Sequence, residues 1–207
     1  MPAIFAGHRP LIAILRGIRP DEAEAVFEAL VANGIGLVEV PLNSPDPFAS
    51  IAKLAAISRG RAQVGAGTVL TVEDVAKTKS AGGELVVSPN FDASVIRATK
   101  VAGMVSYPGV FTPTEAFGAL AAGADALKFF PAEVLGAAGV KAMSAVLPKG
   151  TVLLAVGGVD ASNIGVWLKA GIAGFGIGSS LFKPGMSAAE VGEKVRAMVA
   201  AYDAAMR

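Results

Sequence analysis

Cysteine is absent from the 207 residues, histidine occurs once, at His8, and no block of like charge appears anywhere. Without cysteine the chain has no disulfide, no thiolate zinc site and no cysteine nucleophile. A lone histidine near the start would have to serve any His-based metal cluster or Ser-His-Asp triad, which argues against both. Eighteen basic and seventeen acidic residues leave a formal net charge of +1, scattered along the chain. That is not the basic stripe of a nucleic-acid surface. No apolar stretch runs the ~18 residues without charge, glycine or proline that a membrane-spanning helix needs. The opening MPAIFAGHRP is short and broken by Pro10, unlike a signal peptide. The expected location is the cytoplasm, with no membrane partner.

What the chain has in plenty is apolar and small residues: 53% are hydrophobic, 17% charged, and 25 are glycine. Length and composition allow a sizeable core and exclude disorder. Eight short apolar runs recur, many of them β-branched: LIAIL from Leu11, GLVEVPL from Gly36, QVGAGTV from Gln63, LVVSP from Leu85, MVSYPG from Met104, ALKFFP from Ala126, VLLAVGGV from Val152 and GFGIGSS from Gly174. Between them lie segments with helical spacing, among them RPDEAEAVFEALVANG, TVEDVAKTKSAGG, TPTEAFGALAAG and DASNIGVWLKAG. Gly34, Gly82, Gly123 and Gly171 follow such segments, where a left-handed glycine closes a helix.

Continuous rather than alternating hydrophobic runs imply strands covered on both faces, hence a parallel sheet flanked by helices. The repeat of roughly 20 to 26 residues is close to the smallest βα crossover unit. Eight units with no linker predict a single (β/α)8 TIM barrel domain over residues 1–207. A doubly wound open sheet is the alternative, and a leucine-rich solenoid lacks its leucine/asparagine spacing.

Chemistry in such a barrel sits at the C-terminal strand ends. Arg16, Glu39, Asn43, Thr68, Lys128 and Ser179 stand at those ends and are expected to share one pocket. Lys128 is the odd residue in ALKFFPA, a cation inside an apolar run. A desolvated lysine loses its proton readily, and the neutral amine attacks a carbonyl to give an imine. An ordinary Lys128–Glu39 ion pair inside the barrel is the competing reading. Gly157 and Gly158 in AVGGV, with Gly178 and Ser179 in GIGSS, suit a phosphate bound on bare backbone amides, or merely tight packing. Neither GIGSS nor GAGTVL has the glycine spacing of a Walker loop or a dinucleotide fingerprint. On the bare pattern, an isomerase or epimerase using Glu39 as base, or a non-catalytic phosphosugar-binding barrel, also fits.

Read together and in order, AILRGI, VEVPLNSP, GAGTVL, VSPN, LKFFPAE, AVGGV and GIGSSL resemble the class I aldolases that cleave 2-keto-3-deoxy-6-phospho sugar acids. The resemblance runs from about Pro10 to the final helix. It implies that Lys128 forms the Schiff base, that Glu39 is the general acid/base, and that Thr68 and Arg16 hold the carboxylate end. It places Gly157, Gly158, Gly178 and Ser179 on the phosphate, and Pro89 of VSPN in the same pocket. Phe130 is expected to keep the lysine dry, whereas Phe129 reads as packing, and His8, Trp167 and Tyr107 as structural. EVPLNS and AVGG stand where gluconate-type members have EVTLRT and PTGG, so Asn43 replaces arginine and Val156 replaces threonine, a galactonate-branch pattern. KFFPAEVLG is nearer the gluconate pattern, so activity on both C4 epimers is expected. The resemblance also implies a homotrimer, a phosphorylated keto sugar acid as the small-molecule partner, and no cofactor or metal.

Overall fold

A computed structural model describes residues 3–207. Nine parallel strands alternate with helices: β1 (Leu11–Ile14), α1 (Ala23–Ala32), β2 (Leu37–Pro41), α2 (Pro47–Ser58), β3 (Gln63–Gly67), α3 (Val72–Ser80), β4 (Leu85–Val87), α4 (Ala93–Val101), β5 (Val105–Tyr107), β6 (Gly109–Val110), α5 (Pro113–Ala121), β7 (Leu127–Phe129), α6 (Ala132–Ser144), β8 (Leu153–Val156), α7 (Ile164–Lys169), β9 (Gly174–Ile177) and α8 (Ala188–Ala205). They form one sheet in the order β5-β4-β3-β2-β1-β9-β8-β7-β6. Its two outer members are halves of one run, parted only by Pro108, which has no N–H to continue a ladder. The Tyr107 carbonyl accepts from Ser88 N–H at 3.2 Å on one side, and the Pro108 carbonyl accepts from Lys128 N–H at 2.9 Å on the other. The sheet thereby closes almost completely into the expected (β/α)8 barrel, with the fifth apolar run bent at Pro108 rather than straight.

Because successive side chains in a strand point to opposite faces, each run divides between an inner and an outer core. Leu11 and Ala13, Val38 and Val40, and Leu127 and Phe129 face the helices in one large cluster. Ile12, Leu37, Leu85, Tyr107 and Leu154 meet Phe5 in a second cluster inside the barrel. Phe5 comes from a short 3-10 helix (Ala3–Phe5) that plugs the N-terminal end. Tyr107 Oη donates to the Ile4 carbonyl at 2.9 Å, which satisfies the one polar atom of an otherwise buried side chain. Tyr107 is therefore structural, as expected. Trp167 is buried in the outer cluster, and His8 packs on Gly36, where a Cβ would collide with the imidazole.

Helix ends follow their local chemistry. TPTE builds a capping box, with Thr112 Oγ1 accepting from Glu115 N–H and the Glu115 carboxylate reaching back, and with Pro113 in the first turn. Gly34, Gly82, Gly123 and Gly171, with φ between 83° and 100°, close the helices they were expected to close.

Candidate active site

The same two-residue period that sends Ile12, Leu37 and Leu154 inward puts Ile14, Glu39 and Val156 one layer higher, and sets Lys128 inward beside Leu154. β2 and β7 are opposed across the barrel, with three strands between them by way of β1, β9 and β8. Glu39 and Lys128 thus approach the axis from opposite walls. They are 2% and 6% exposed, two charges taken almost wholly out of water.

Among the described residues no direct ion pair joins them, and Glu39 Oε2 is buried without a hydrogen-bond partner. The structural ion pair weighed against an imine-forming lysine is not what the interior contains. Burial lowers the Lys128 ammonium to about 8, helped by the nearby Arg16 charge and opposed by Glu39. Burial likewise lifts the Glu39 carboxyl to about 7, against the pull of Lys128 and Arg16. Desolvation outweighs attraction in both groups, so each is driven toward its neutral form. A neutral amine opposite an acid that titrates near neutrality can add to a carbonyl and pass protons.

Glycines make the room. Gly67 lies against the Glu39 carboxyl, and a Cβ there would overlap Oε2. Along GFGIG the inward positions are all glycine, while Phe175 and Ile177 point out into the helical layer. A Cβ on Gly176 would come within 2.6 Å of Val156. The bare inner wall of β9 leaves a cavity of about 480 Å³ at the barrel mouth, lined by Arg16, Phe130, Val156, Gly157, Gly158, Gly178 and Ser179. The Lys128 Nζ stands 4.7 Å from the centroid of the Phe130 ring, so this wall shields the amine. Phe129, on the opposite face of β7 from Lys128, is fully buried in the outer core.

Gly157 and Gly158 take φ of 99° and 70°, and turn their strand end without side chains. Leu181 and Phe182 N–H groups both donate to the Gly178 carbonyl, at 2.8 and 3.0 Å, closing a turn over Ser179 and Ser180. The first amides of such a turn have no partner inside it and are free for an anion. Two cations that the sequence reading missed, Lys183 and Lys194, line the same cavity. With Arg16 they outweigh its one carboxylate, Asp160, whose Oδ1 is already engaged by Ser162.

Of the six residues expected to share one pocket, Arg16 and Ser179 line this cavity, whereas Glu39, Asn43, Thr68 and Lys128 are not in its lining. Arg16 donates from Nη1 to Asn43 Oδ1 at 2.7 Å. Arg16 shares its cavity with the β8 and β9 glycines, although it was expected at the opposite, carboxylate end with Thr68. Thr68 follows Gly67 at the end of β3 with φ of 56°, a left-handed conformation that costs a β-branched residue on the order of 1–3 kcal/mol. Pro89 follows β4, half-buried, with its carbonyl against Gly109 rather than in the cavity lining. Among the described residues no group of three His, Asp or Glu side chains is placed to hold a metal ion.

A parallel barrel that buries a lysine opposite a carboxylate, beside a cationic glycine-rich cavity, defines a site suited to imine chemistry on an anionic carbonyl compound, the chemistry of a class I aldolase. Residues 6–198 match the family described as KDPG and KHG aldolase, and the chain belongs to that family. It is 54% identical over 196 residues to a probable 2-dehydro-3-deoxy-6-phosphogalactonate aldolase of Rhizobium meliloti (strain 1021), covering 95% of this chain and 92% of that one. It is 46% identical over 198 residues to the 2-dehydro-3-deoxy-6-phosphogalactonate aldolase of Escherichia coli (strain K12), covering 96% and 97%. A solved structure described as native KDPGal superposes with a TM-score of 0.94 at 46% identity, covering 95% of this chain and 96% of that one.

Proposed function

We propose that this aldolase cleaves 2-dehydro-3-deoxy-6-phosphogalactonate to pyruvate and D-glyceraldehyde 3-phosphate through an imine on Lys128. The neutral amine adds to the C2 ketone, and the carbinolamine loses water to give a cationic imine, with Glu39 relaying protons. Glu39 then takes the proton of the C4 hydroxyl. The C3–C4 electron pair moves into the iminium, the phosphorylated aldehyde leaves, and an enamine of pyruvate remains. Protonation at C3 and addition of water release pyruvate and restore the amine. One carbon–carbon bond is broken, and nothing is oxidised overall.

The observation that carries this reading is the amine of Lys128: 6% exposed, held toward its neutral form, and facing an unpartnered Glu39 carboxyl. The glycines of β8 and β9, with Lys183 and Lys194, suit the phosphate, Thr68 suits the carboxylate, and Arg16 offers its charge to the anionic substrate. Preference for the galactonate epimer is supported by the two named relatives and by Val156, whose side chain offers no hydrogen bond at the cavity wall. A pocket wall lacking a donor rejects an isomeric hydroxyl only weakly, so the gluconate epimer is turned over as well, more slowly. The family resemblance supports a homotrimer, which light scattering checks, and phosphorylated sugar-acid chemistry is consistent with a cytoplasmic setting.

The test is reduction by borohydride in the presence of pyruvate, followed by digestion and mass mapping. The reading expects one stable adduct on the peptide that carries Lys128. An adduct on another lysine, or none, would remove the assigned chemistry.

A further inference from the structure

We propose that Asn43 is a positioning residue: it holds the guanidinium of Arg16 over the cavity and does not itself grip the substrate. This rests on the reading of the cavity as the sugar-acid site. Arg16 stands on the loop after β1, exposed at the cavity wall, and carries a long side chain with many rotamers. The backbone beneath it is fixed. Gly17 N–H donates to Ser44 Oγ at 2.9 Å, and a Cβ on Gly17, whose φ is 83°, would meet Pro184 at 2.7 Å. The Arg16 loop is thus wedged between the loop after β2 and the segment after β9, and the freedom left to it is that of the side chain.

Asn43, next to Ser44 on the same β2 loop, removes that freedom by accepting from Nη1 at 2.7 Å. The chemistry of the acceptor matters. Elsewhere the chain restrains Arg9 with Asp203, Arg19 with Asp21 and Arg61 with Glu28, and only Arg196, with Asn33 Oδ1 at 3.3 Å, also meets an amide among the described residues. The carboxylate pairs neutralise the cation. An amide oxygen orients the guanidinium through a single bond, less firmly than a two-bond carboxylate fork, but leaves its whole positive charge and its remaining N–H donors for an anionic ligand. Arg16 is also close enough to act electrostatically on both Lys128 and Glu39. A neutral restraint keeps that influence intact. Two adjacent residues, Asn43 and Ser44, therefore tie one loop to the other, the first through the side chain and the second through the backbone.

The measurement is a double-mutant cycle on steady-state cleavage of the phosphorylated sugar acid, with Asn43→Ala, Arg16→Ala and the double variant. Asn43→Ala is expected to raise KM roughly 5- to 20-fold with kcat within about twofold, and Arg16→Ala to raise KM further. The double variant is expected to match Arg16→Ala within about twofold, since Asn43 has nothing to hold once the guanidinium is gone. Asn43→Asp keeps the restraint but cancels the charge, so it too is expected to raise KM. Losses that multiply in the double variant would show Asn43 touching the substrate independently and overturn the proposal, as would unaltered kinetics of Asn43→Ala. Thermal melting of each variant separates these outcomes from loss of fold. Trapping of pyruvate on Lys128 in the unmutated protein reports separately on the underlying reading.

Discussion

At the N-terminal end of the barrel three cations grip carboxylates, whereas at the C-terminal end a lysine and a glutamate are buried face to face without touching. Arg9 binds both oxygens of Asp203 at 2.9 Å, Lys100 binds Asp125 at 2.6 and 2.7 Å, and Arg61 binds Glu28 at 2.6 and 2.8 Å. The Asp125 carboxylate also accepts from Ser106 N–H at 2.8 Å, which anchors the start of the fifth barrel strand. A cavity of about 550 Å³ exists at this end too, lined by His8, Arg9, Arg61 and Asp203, but its cations are already engaged, Arg9 by Asp203 and Arg61 by Glu28. At the other end Lys128 and Glu39 are more deeply buried and less well paired. One fold thus pairs these three cations where they only support structure, and leaves Lys128 and Glu39 without an ion pair where a substrate can supply the missing partner.

The sharpest way to break that contrast is Lys128→Ala. It is expected to cut kcat/KM by more than about a thousandfold and abolish the borohydride adduct, while the melting temperature holds or rises because a costly buried cation is gone. Retained activity, or a collapse in stability, would place Lys128 with the structural cations.

Glu39→Gln comes next, with an expected loss of about 10²–10⁴ in kcat as proton transfer fails. Its stability should move the other way. Folding raises the Glu39 carboxyl from 4.5 to about 7, so between those values the folded chain binds a proton that the unfolded chain lacks. The cost of ionising it in the interior is absent below the unfolded value and complete above about 7. Glu39→Gln is therefore expected to melt higher than the parent near pH 8 and alike near pH 4. Melting curves that run parallel at both values would contradict this.

The N-terminal end gives the mirror image at smaller size. The Arg9 guanidinium holds the Asp203 carboxyl below its usual range, so this pair stabilises above the ordinary carboxylate value and loses its contribution as acid protonates Asp203. The pair is about one-third exposed, which screens it. Arg9→Ala is expected to cost about 0.5–1 kcal/mol near neutral pH, less in acid, with kcat/KM unchanged. A catalytic defect in that variant would mean the two ends are not separable. The cavity wall is tested by specificity rather than stability: Val156→Thr is expected to shift the ratio of kcat/KM for the two C4 epimers by roughly tenfold toward the gluconate form. An unmoved ratio would take Val156 out of the discrimination.

The eight apolar runs were legible because a strand buried on both faces cannot afford polar residues, and the glycines at 34, 82, 123 and 171 were legible because a helix end leaves few choices. Lys128 and Glu39 stood out for the same reason, as charges inside such runs. The bend at Pro108 was hidden, since a proline at an interrupted strand and one just past a strand end look alike in a linear reading. Lys183 and Lys194 were missed because they lie beyond the last strand, in a loop and on α8, where exposed lysines are ordinary. Phe5 gave no signal of its role as a plug, because three residues carry no periodicity.

Composition, spacing and the alternation of side chains were enough to determine that eight β/α units wrap into a barrel, and that a lysine and a glutamate lie within its walls. These are local properties of the chain, set by which residues tolerate water. Only the closed tertiary structure decided that the two groups meet across the axis without pairing, that bare glycines on β9 open the cavity beside them, and that an amide steadies Arg16. Those outcomes depend on distances between residues far apart in sequence, and on how much water the closed barrel excludes.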